Sequence, residues 1–306
     1  MAPTIDAIDT IDMRGAGCLR CVILMSTLYG MSRIQTITSA ANPLLREVRR
    51  AIARGERTAD GLCIAEGFHL LEEALRSGRE VPTVLTSEAL RETVDRQVRG
   101  LNGTRTLVLP DALFQGIAST ETTQGVMALV RPAEWSMEQV FRGASLVIVL
   151  DGLQDPGNAG AIVRAAEAFG ATGVLFLKGT ASPYHPKTLR ASAGSLFRVP
   201  FVCGLDGAVA RATLLQHRVA VYAAMPYTGA QKLAGATDFV RRCAIVAGSE
   251  GRGVSKQLHG IAEDVAIPTT GVESLNSAVA TSVLLYEARR QRQDADRQLI
   301  RQEQHA

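Results

Sequence analysis

The stretch Val147-Ile-Val-Leu-Asp-Gly-Leu-Gln-Asp-Pro-Gly-Asn-Ala-Gly-Ala-Ile-Val-Arg164 decides the fold of the second half of the chain. Its apolar run predicts a buried strand that ends at Asp151, and the Pro-Gly turn after it predicts a loop. Asn158 is predicted to cap a helix that runs to about Ala168. Arg164 lies two turns into this small, apolar helix without an acidic residue four positions away. We expect its guanidinium to pair with a distant carboxylate or to contact an anionic ligand.

Apolar runs like this one recur through the second half of the chain, at 145–150, 173–177, 199–202, 218–223, 243–247 and 265–267. Helical stretches lie between most of them. Continuous apolar strands that alternate with helices indicate a parallel sheet with helices on both faces. The last helix is expected over 276–292, where the predicted domain 145–292 ends. A polar helical tail, 293–306, is expected after it.

A smaller α/β unit is predicted over 31–132, with the polar segment 133–144 as the linker between the two units. Its expected helices cover 43–54 and 67–77, and its expected strands cover 62–65, 81–85, 105–109 and 126–130. Residues 1–30 show only weak periodicity and are interpreted as a disordered extension.

Composition narrows the functions to consider. The chain has 306 residues and a formal net charge of +3, so overall basicity does not indicate nucleic acid. No apolar run approaches the roughly 20 residues of a membrane span, and no signal-peptide pattern is present, so a cytoplasmic protein is expected. The five cysteines fit a reducing compartment. Cys18 and Cys21 form a single CxxC without a second pair, and no metal site is predicted.

Arginines are concentrated in and after the first predicted helix, at positions 46, 49, 50, 54 and 57. Their helical spacing places much of this charge on one side. A phosphate-contacting stripe is one interpretation, and a solvated helix face is the alternative.

Three loops that follow strands carry the polar residues suited to chemistry, and open α/β sheets bind ligands at this edge. The loops cover 155–164, 245–253 and 267–277. In the second, the glycines follow G-x-x-G-x-G, the reverse of the dinucleotide fingerprint. Glu250 among them has the wrong charge for a phosphate cradle. In the third, Ser274 and Asn276 are also ordinary capping residues.

Together the three loops resemble the SpoU/TrmH family of RNA 2′-O-ribose methyltransferases. The family's first motif, Asn followed six residues later by Arg, is matched by Asn158 and Arg164. Its second motif, Gly-x-Glu-Gly, and its third, Ile-Pro followed by Ser-Leu-Asn, are matched by Gly248, Glu250, Gly251, Ile267, Pro268, Ser274, Leu275 and Asn276. The segment Arg190-Ala-Ser192 also resembles the family. The resemblance covers essentially all of 145–292.

The amino-terminal unit is similar to the substrate-binding domain fused ahead of such catalytic domains. The matching pieces are Asn42–Leu45, Ile64–Gly67 with Glu73–Leu75, and Thr122–Gly125. In the last piece Thr123 replaces the usual proline. This similarity favours the interpretation of the arginine stripe, with Arg46, Arg49 and Arg50, as an RNA-contacting surface.

The resemblance implies a SPOUT-type parallel sheet with a carboxyl-terminal trefoil knot, a homodimer, and S-adenosylmethionine as methyl donor. It implies that Arg164 activates the ribose hydroxyl, as a base or by stabilising the developing alkoxide. Catalytic orienting roles fall to Asn158, Glu250, Ser274 and Asn276. The implied cofactor contacts are Gly248, Glu250, Gly251, Ile267, Pro268, Leu275 and Asn276.

Lys187 and Arg190, expected in a loop, are candidate phosphate contacts. Structured RNA is the implied substrate, with ribosomal RNA favoured over transfer RNA. A non-catalytic RNA-binding protein with a degenerate methyltransferase domain and a nucleotide-dependent oxidoreductase are the alternatives. The expected site is a single pocket formed by the three loops, with the Arg164 guanidinium buried in it.

Overall fold

The computed structural model describes residues 33–101 and 103–303. The predicted extension 1–30, Cys18, Cys21 and the last residues of the predicted tail lie outside these ranges. Within them, no helix combines the length and apolarity needed to cross a membrane.

The amino-terminal domain is a five-stranded sheet with the order β1-β4-β3-β5-β2. Its strands are β1 (Arg33–Thr36), β2 (Cys63–Glu66), β3 (Thr83–Ser87), β4 (Arg105–Leu109) and β5 (Val126–Val130). Its helices are α1 (Pro43–Arg54), α2 (Phe68–Arg76), α3 (Arg91–Val98) and α4 (Asp111–Gln115). Strand β5 runs antiparallel to β2 and β3, and β3 is parallel to β4, so β2, β3 and β4 end at the same edge of the sheet.

The carboxyl-terminal domain is a seven-stranded sheet with the order β10-β12-β9-β11-β6-β7-β8, and every pairing is parallel. Its strands are β6 (Leu146–Asp151), β7 (Gly173–Leu177), β8 (Phe201–Leu205), β9 (Ala220–Met225), β10 (Lys232–Leu233), β11 (Cys243–Gly248) and β12 (Glu263–Ala266). Its helices are α5 (Met137–Val140), α6 (Pro156–Ala168), α7 (Pro186–Ala191), α8 (Gly207–Gln216), α9 (Lys256–His259) and α10 (Ser277–Glu303). The predicted parallel sheet covered by helices is confirmed.

The unbroken apolar sequence of β6 follows from burial on both faces of the sheet. Leu146, Ile148 and Leu150 pack into one hydrophobic cluster, whereas Val147 and Val149 pack into another on the opposite face. A strand covered by helices on both sides has no polar face, and its sequence therefore shows no alternation.

The two domains share a continuous apolar core. Leu70 and Ala74 of α2 belong to the same buried cluster as Leu189 of α7 and Phe197. The segment 133–144 between the domains contains α5, and its Val140 is fully buried against the second sheet. The domains therefore meet through packed side chains as well as through the chain connection.

Helix α10 has 27 residues, so the predicted polar tail continues the same helix as far as Glu303. The helix is anchored by Arg292, whose guanidinium donates to the carbonyl oxygens of Phe239 (2.8 Å), Ser145 (3.2 Å) and Arg241 (3.0 Å), and also to that of Ala144 (2.5 Å). These carbonyls lie next to the starts of β6 and β11. One side chain thus fixes α10 to the edge of the sheet opposite the candidate site.

Candidate active site

Helix α6 begins at Pro156, and its N-cap is Asp155, whose Oδ1 accepts from the backbone N–H of Asn158 at 2.7 Å. The prediction that Asn158 is the cap is wrong, because proline at the first helical position favours an extended residue before it and moves the cap there. Asn158 therefore lies inside the first turn. Its side-chain amide is free for contacts outside the helix.

The Asn158 amide joins the three predicted loops. Its Nδ2 donates to Glu250 Oε1 at 2.7 Å, and its Oδ1 accepts from Asn276 Nδ2 at 3.1 Å. Ser277 Oγ lies 3.5 Å from the same Glu250 oxygen. Hydrogen bonds that span up to 118 positions in sequence thus join these residues in one cluster.

Asn276 also caps α10. Its Oδ1 accepts from the backbone N–H groups of Ala278 (2.9 Å) and Val279 (3.2 Å). The side chain uses its oxygen for the helix and its nitrogen for Asn158. The capping and the site interpretations of Asn276 therefore both apply.

The second loop folds back tightly after β11. Ser249 and Gly253 exchange backbone hydrogen bonds of 3.1 and 2.9 Å across the turn. A Cβ on Gly248 would lie 2.3 Å from the carbonyl carbon of Gly253, a distance at which backbone atoms clash. Glycine at position 248 therefore permits this loop to close, and the closure presents Glu250 to Asn158.

A cavity of about 400 Å³ lies at the carboxyl ends of β9, β11 and β12. Gly248, Glu250, Ile267, Ser274 and Leu275 line it, as do apolar residues including Ala224, Met225, Pro226, Tyr227 and Leu284. Backbone groups and apolar side chains suit a neutral nucleoside, and the carboxylates of Glu250 and Glu273 suit the cationic part of S-adenosylmethionine. The residues present therefore fit this cofactor.

Three of the predicted cofactor residues stand apart from that cavity. Asn276 belongs to the hydrogen-bonded cluster, and Pro268 is exposed. Gly251 lines a neighbouring cavity of about 540 Å³ at the ends of β6 and β7, together with Asp151 and Lys178.

Arg164 is exposed on α6. Within residues 33–101 and 103–303 its guanidinium has neither a hydrogen bond nor an ion pair. The prediction of a buried guanidinium is wrong for the single chain, because position 164 lies on the outward face of the helix while Ile162, Val163 and Ala166 face the core. The expected distant carboxylate is also not found in these ranges, which leaves the charge available to a ligand.

Lys187 and Arg190 lie on the short helix α7 rather than in the expected loop. Lys187 Nζ is 2.8 Å from Asp155 Oδ2. The Lys187 ammonium, followed by the backbone N–H of Asn158, holds the pKa of Asp155 below its usual range. Arg190 points toward the amino-terminal domain, where its NH1 lies 2.6 Å from Ser119 Oγ and 3.3 Å from Glu66 Oε2.

Part of the predicted arginine stripe lies on one exposed face of α1. Arg46, Arg50 and Arg54 are exposed at intervals of four residues, which places them on one face. Arg49 donates to the carbonyl of Ala40 at 3.1 Å. Helix α1 ends before Arg57, whose guanidinium instead lies 5.0 Å from the ring centre of Tyr184.

Sequence reasoning missed Met225, Pro226 and Tyr227, which line the cavity from the end of β9. They carry no motif, and the only available signal was the end of a predicted strand. The end of a strand points to the site only when β9 is known to lie beside β11. The signal could not be used from sequence alone, because strand order does not follow from periodicity.

Both domains of the chain match known protein families. A profile of the SpoU rRNA Methylase family matches residues 145–286, and a profile of the MRM3-like substrate binding domain matches residues 42–128. The 23S rRNA (guanosine(2553)-2′-O)-methyltransferase RlmP of Bacillus subtilis is 32% identical over 261 residues, covering 84% of this chain and 100% of the relative.

Solved structures agree with the sequence relatives. A crystal structure of an RNA 2′-O ribose methyltransferase superposes with a TM-score of 0.70 at 30% identity, over 84% of this chain and 99% of that one. The SpoU methyltransferase AviRb from Streptomyces viridochromogenes, in complex with AdoMet, has a TM-score of 0.70 at 26% identity, over 83% and 100%. The chain belongs to the SpoU/TrmH family of S-adenosylmethionine-dependent RNA 2′-O-ribose methyltransferases.

Proposed function

We propose that this enzyme methylates the 2′-hydroxyl of one ribose in ribosomal RNA. The observation that carries the proposal is the Glu250–Asn158–Asn276 cluster at the rim of the 400 Å³ cavity. The substrate-binding domain profile over 42–128 supports a structured RNA. The named substrate of the Bacillus relative, a guanosine ribose in 23S rRNA, favours ribosomal over transfer RNA. An enzyme that methylates ribosomal RNA is expected to reside in the cytoplasm.

S-adenosylmethionine supplies an electrophilic methyl group when bound. Gly248, Ile267 and Leu275 would hold its adenosine through backbone and apolar contact, since all three line the cavity. Glu250 would face its positive charge while accepting from Asn158. The family's trefoil knot stays a prediction for this chain, supported by the match to the family profile over 145–286.

The developing negative charge on the ribose oxygen needs a cation near it, and we assign that role to Arg164. A guanidinium keeps its proton in proteins, so stabilising the alkoxide is easier for it than acting as a base. Its exposure and its lack of a protein partner in the described ranges leave it free to reach RNA. Asn158, Asn276 and Ser274 would orient the ribose.

A homodimer would enclose this exposed charge. Helices α6 and α10 run side by side, since Asn158 bonds Asn276 at one end and the rings of Phe169 and Tyr286 meet at 5.8 Å at the other. On α10, Val279, Val283 and Tyr286 form an exposed stripe spaced by four and three residues, with exposures of 51%, 39% and 57%. A second copy packed on this stripe would bring its own α6 close to the site.

The RNA is expected to approach from the side of the amino-terminal domain. The exposed guanidinium groups of Arg46, Arg50 and Arg54 offer phosphate contacts along α1. Lys187 is half-exposed beside Asp155 and offers a further positive charge near the candidate site.

The proposal is tested with purified enzyme, radiolabelled S-adenosylmethionine, and ribosomal or transfer RNA from cells that lack this gene. Label is expected in ribosomal RNA, and nuclease digestion should recover it as a 2′-O-methyl nucleoside. Arg164→Ala should abolish the transfer while cofactor affinity persists. Arg211→Ala, an exposed arginine on α8, should be active as the matched control.

Three results would overturn this assignment. Label in the base would contradict a ribose 2′-hydroxyl target, and exclusive labelling of transfer RNA would replace the substrate. RNA binding without cofactor binding or transfer would indicate a degenerate, non-catalytic domain. A pH–rate profile shifted toward lower pH in Arg164→Lys would instead make residue 164 a base, because lysine loses its proton more readily than arginine.

A further inference from the structure

Glu66, the last residue of β2, is a buried carboxylate with an unusually complete set of donors. It accepts from the backbone N–H of Ser119 at 3.1 Å, from the Ser119 hydroxyl, and from the Thr120 hydroxyl at 2.9 Å. Arg190 of the other domain completes the set at 3.3 Å, and the Glu66 side chain is only 3% exposed. A buried carboxylate is stable only when it is paired and hydrogen-bonded, so these partners are held in place together.

The residues that Glu66 holds begin the loop 119–125, which we name the substrate loop because it falls within the match to the substrate-binding domain. Its other end is fixed as well. Gln124 Oε1 accepts from the N–H of Phe68 at 3.0 Å, and the carbonyl of Gly125 accepts from the N–H of Ser87 at 2.8 Å. Between these anchors Glu121 and Thr122 are exposed.

Helix α7 connects this loop to the methyl-transfer site. Arg190 bonds Glu66 and Ser119 on one side, and Lys187, three residues earlier on the helix, bonds Asp155 at 2.8 Å on the other. Asp155 caps α6 through the N–H of Asn158. Charge-assisted contacts at both ends of α7 therefore link the substrate loop to the backbone of Asn158, whose side chain organises the site.

The packing beneath α7 leaves this connection little freedom. A Cβ on Gly160 of α6 would lie 2.4 Å from the carbonyl oxygen of Thr188 and 2.7 Å from the Cβ of Ala191. Helices α6 and α7 are thus in backbone contact. A displacement of α7 would move both the loop and the cap of α6.

We infer that Glu66 and Arg190 are positioning residues, which hold the substrate loop at a fixed distance from the methyl-transfer site so that both domains grip one RNA. This inference rests on the proposed RNA methyltransferase activity. Arg190 then acts through Glu66 and Ser119 and not as a phosphate contact. Its guanidinium already lies 2.6 Å from the Ser119 hydroxyl and 3.3 Å from the Glu66 carboxylate.

Steady-state kinetics of Glu66→Gln, Arg190→Met and the double variant test the inference. Each single change should raise KM for RNA about tenfold, a factor within the usual range of site-to-site coupling, and the double variant should be no worse than either single. The kcat and the affinity for S-adenosylmethionine should stay near the wild-type values. The slope of log Kd for RNA against log salt should also stay unchanged, since no phosphate contact is lost.

A phosphate contact gives the opposite pattern. Arg190→Met would then flatten the salt slope by roughly 0.7–0.9, and Glu66→Gln, which frees the arginine, would leave RNA binding equal or tighter. Either result would overturn the inference. If Glu66→Gln does not fold, Ser119→Ala decides the matter, because it deletes one hydroxyl without stranding a charge, and an unchanged KM would then reject the inference.

The matched control is the second ion pair between the domains, Arg198 NH1 to Glu73 Oε2 at 2.6 Å, which does not touch the substrate loop. Glu73→Gln should lower the melting temperature yet leave KM for RNA unchanged. An equal rise in KM in this control would mean that weakening any contact between the domains raises KM for RNA. The specific positioning role of Glu66 would then be rejected. A wild-type enzyme without RNA methylation would reject the proposed function instead.

Discussion

Asn158 donates a 2.7 Å hydrogen bond from Nδ2 to Glu250 Oε1, across 92 residues of sequence. The other end of the same amide accepts from Asn276. One planar group therefore needs a donor on one side and an acceptor on the other, and among the side chains only an amide offers both in this geometry. The first motif of the family thus acts here as the junction of the second and third motifs.

Asn158→Asp should abolish most of the activity. The new carboxylate would face Glu250 at hydrogen-bond distance, and the repulsion between like charges would drive the first two loops apart. Misplacement by about 1 Å costs roughly 100-fold in rate, so kcat should fall by at least about that factor. Gln154→Glu, an exposed position on the same loop, adds the same charge and should remain active. Single-turnover rates within threefold of wild type for Asn158→Asp would show that the cluster does not organise the reaction.

Gly248→Ala should weaken the binding of S-adenosylmethionine. The added methyl would meet the Gly253 carbonyl carbon at 2.3 Å, so the loop that lines the cavity must open. Calorimetric titration should show at least about a 100-fold weaker cofactor affinity, close to 2.7 kcal/mol. Gly251→Ala provides the control in the same loop, since nothing lies within 4 Å of the position that its methyl group would occupy. Equal affinities in both variants would contradict the assignment of the cavity.

Sequence patterns predicted the elements of the fold because buried strands and amphipathic helices leave strong signals. Strands β4, β5 and β7 have the predicted ends. The two-residue strand β10 is too short to leave a pattern, and the start of α6 was misplaced because the effect of Pro156 on the residue before it outweighed the capping preference of Asn158.

The site was predictable from resemblance but not from periodicity. The three loops meet because β12, β9, β11 and β6 are consecutive neighbours in the sheet, and strand order depends on long-range packing that local sequence does not encode. The exposure of Arg164 was missed for a related reason, since a motif gives the residue and not the direction in which it points. Glu66 likewise becomes informative only when Arg190 is seen beside it.

Arg292→Met should destabilise the carboxyl-terminal domain. The guanidinium donates to the carbonyls of Phe239, Ala144, Ser145 and Arg241, which lose this charged donor in the variant. Hydrogen bonds from a charged donor contribute about 1.5–3 kcal/mol each and are not additive, so we expect a loss of roughly 3 kcal/mol in urea denaturation. Arg297→Met, at an exposed position of the same helix, should change stability by less than about 0.5 kcal/mol. A loss below about 1 kcal/mol for Arg292→Met would show that α10 is held by apolar packing alone.

The ion pairs of Arg198 with Glu73 of the amino-terminal domain and with Glu167 of its own domain should weaken in acid. Arg198 lowers the pKa of Glu167, and although burial pushes the pKa of Glu73 upward, Arg198 and Arg76 together bring it below its usual value. In the unfolded chain the glutamates have a pKa near 4.3. Between the lower folded-state pKa values and about pH 4.3, the unfolded chain therefore binds more protons than the folded one. The stabilisation is present above about pH 4.3 and is lost as the pH falls through the lower folded-state values.

Arg198→Met removes the cation and should flatten this dependence. Urea denaturation at pH 6.5 and at pH 3.5 should show a difference between wild type and variant that is largest at the higher pH and shrinks in acid. The exposed pair Arg131–Glu80, at 2.7 Å, gives a control whose loss should alter stability little at either pH. A gap between Arg198→Met and wild type that widens on acidification would have the wrong sign for this account.

Val283→Glu should convert the proposed dimer into monomers and remove methyl transfer. Val279, Val283 and Tyr286 form the exposed stripe of α10, and a carboxylate in its centre would be desolvated by a second subunit. Sedimentation should show a halved mass, with RNA methylation lost and cofactor binding retained, because the cavity is lined by one chain. Val209→Glu, on α8 and 51% exposed, should leave mass and activity unchanged.

Mixing inactive subunits tests whether the dimer also completes the site. Arg164 lies about 9 Å further along α6 than Asn158, since each helical residue rises about 1.5 Å, and its exposed side chain has no partner within residues 33–101 and 103–303. We therefore expect Arg164 to serve the cavity of the other subunit. Heterodimers of Arg164→Ala with Gly248→Ala should regain activity, because one cavity is intact and receives an intact arginine from its partner. Inactive heterodimers of normal mass would place Arg164 at the cavity of its own chain.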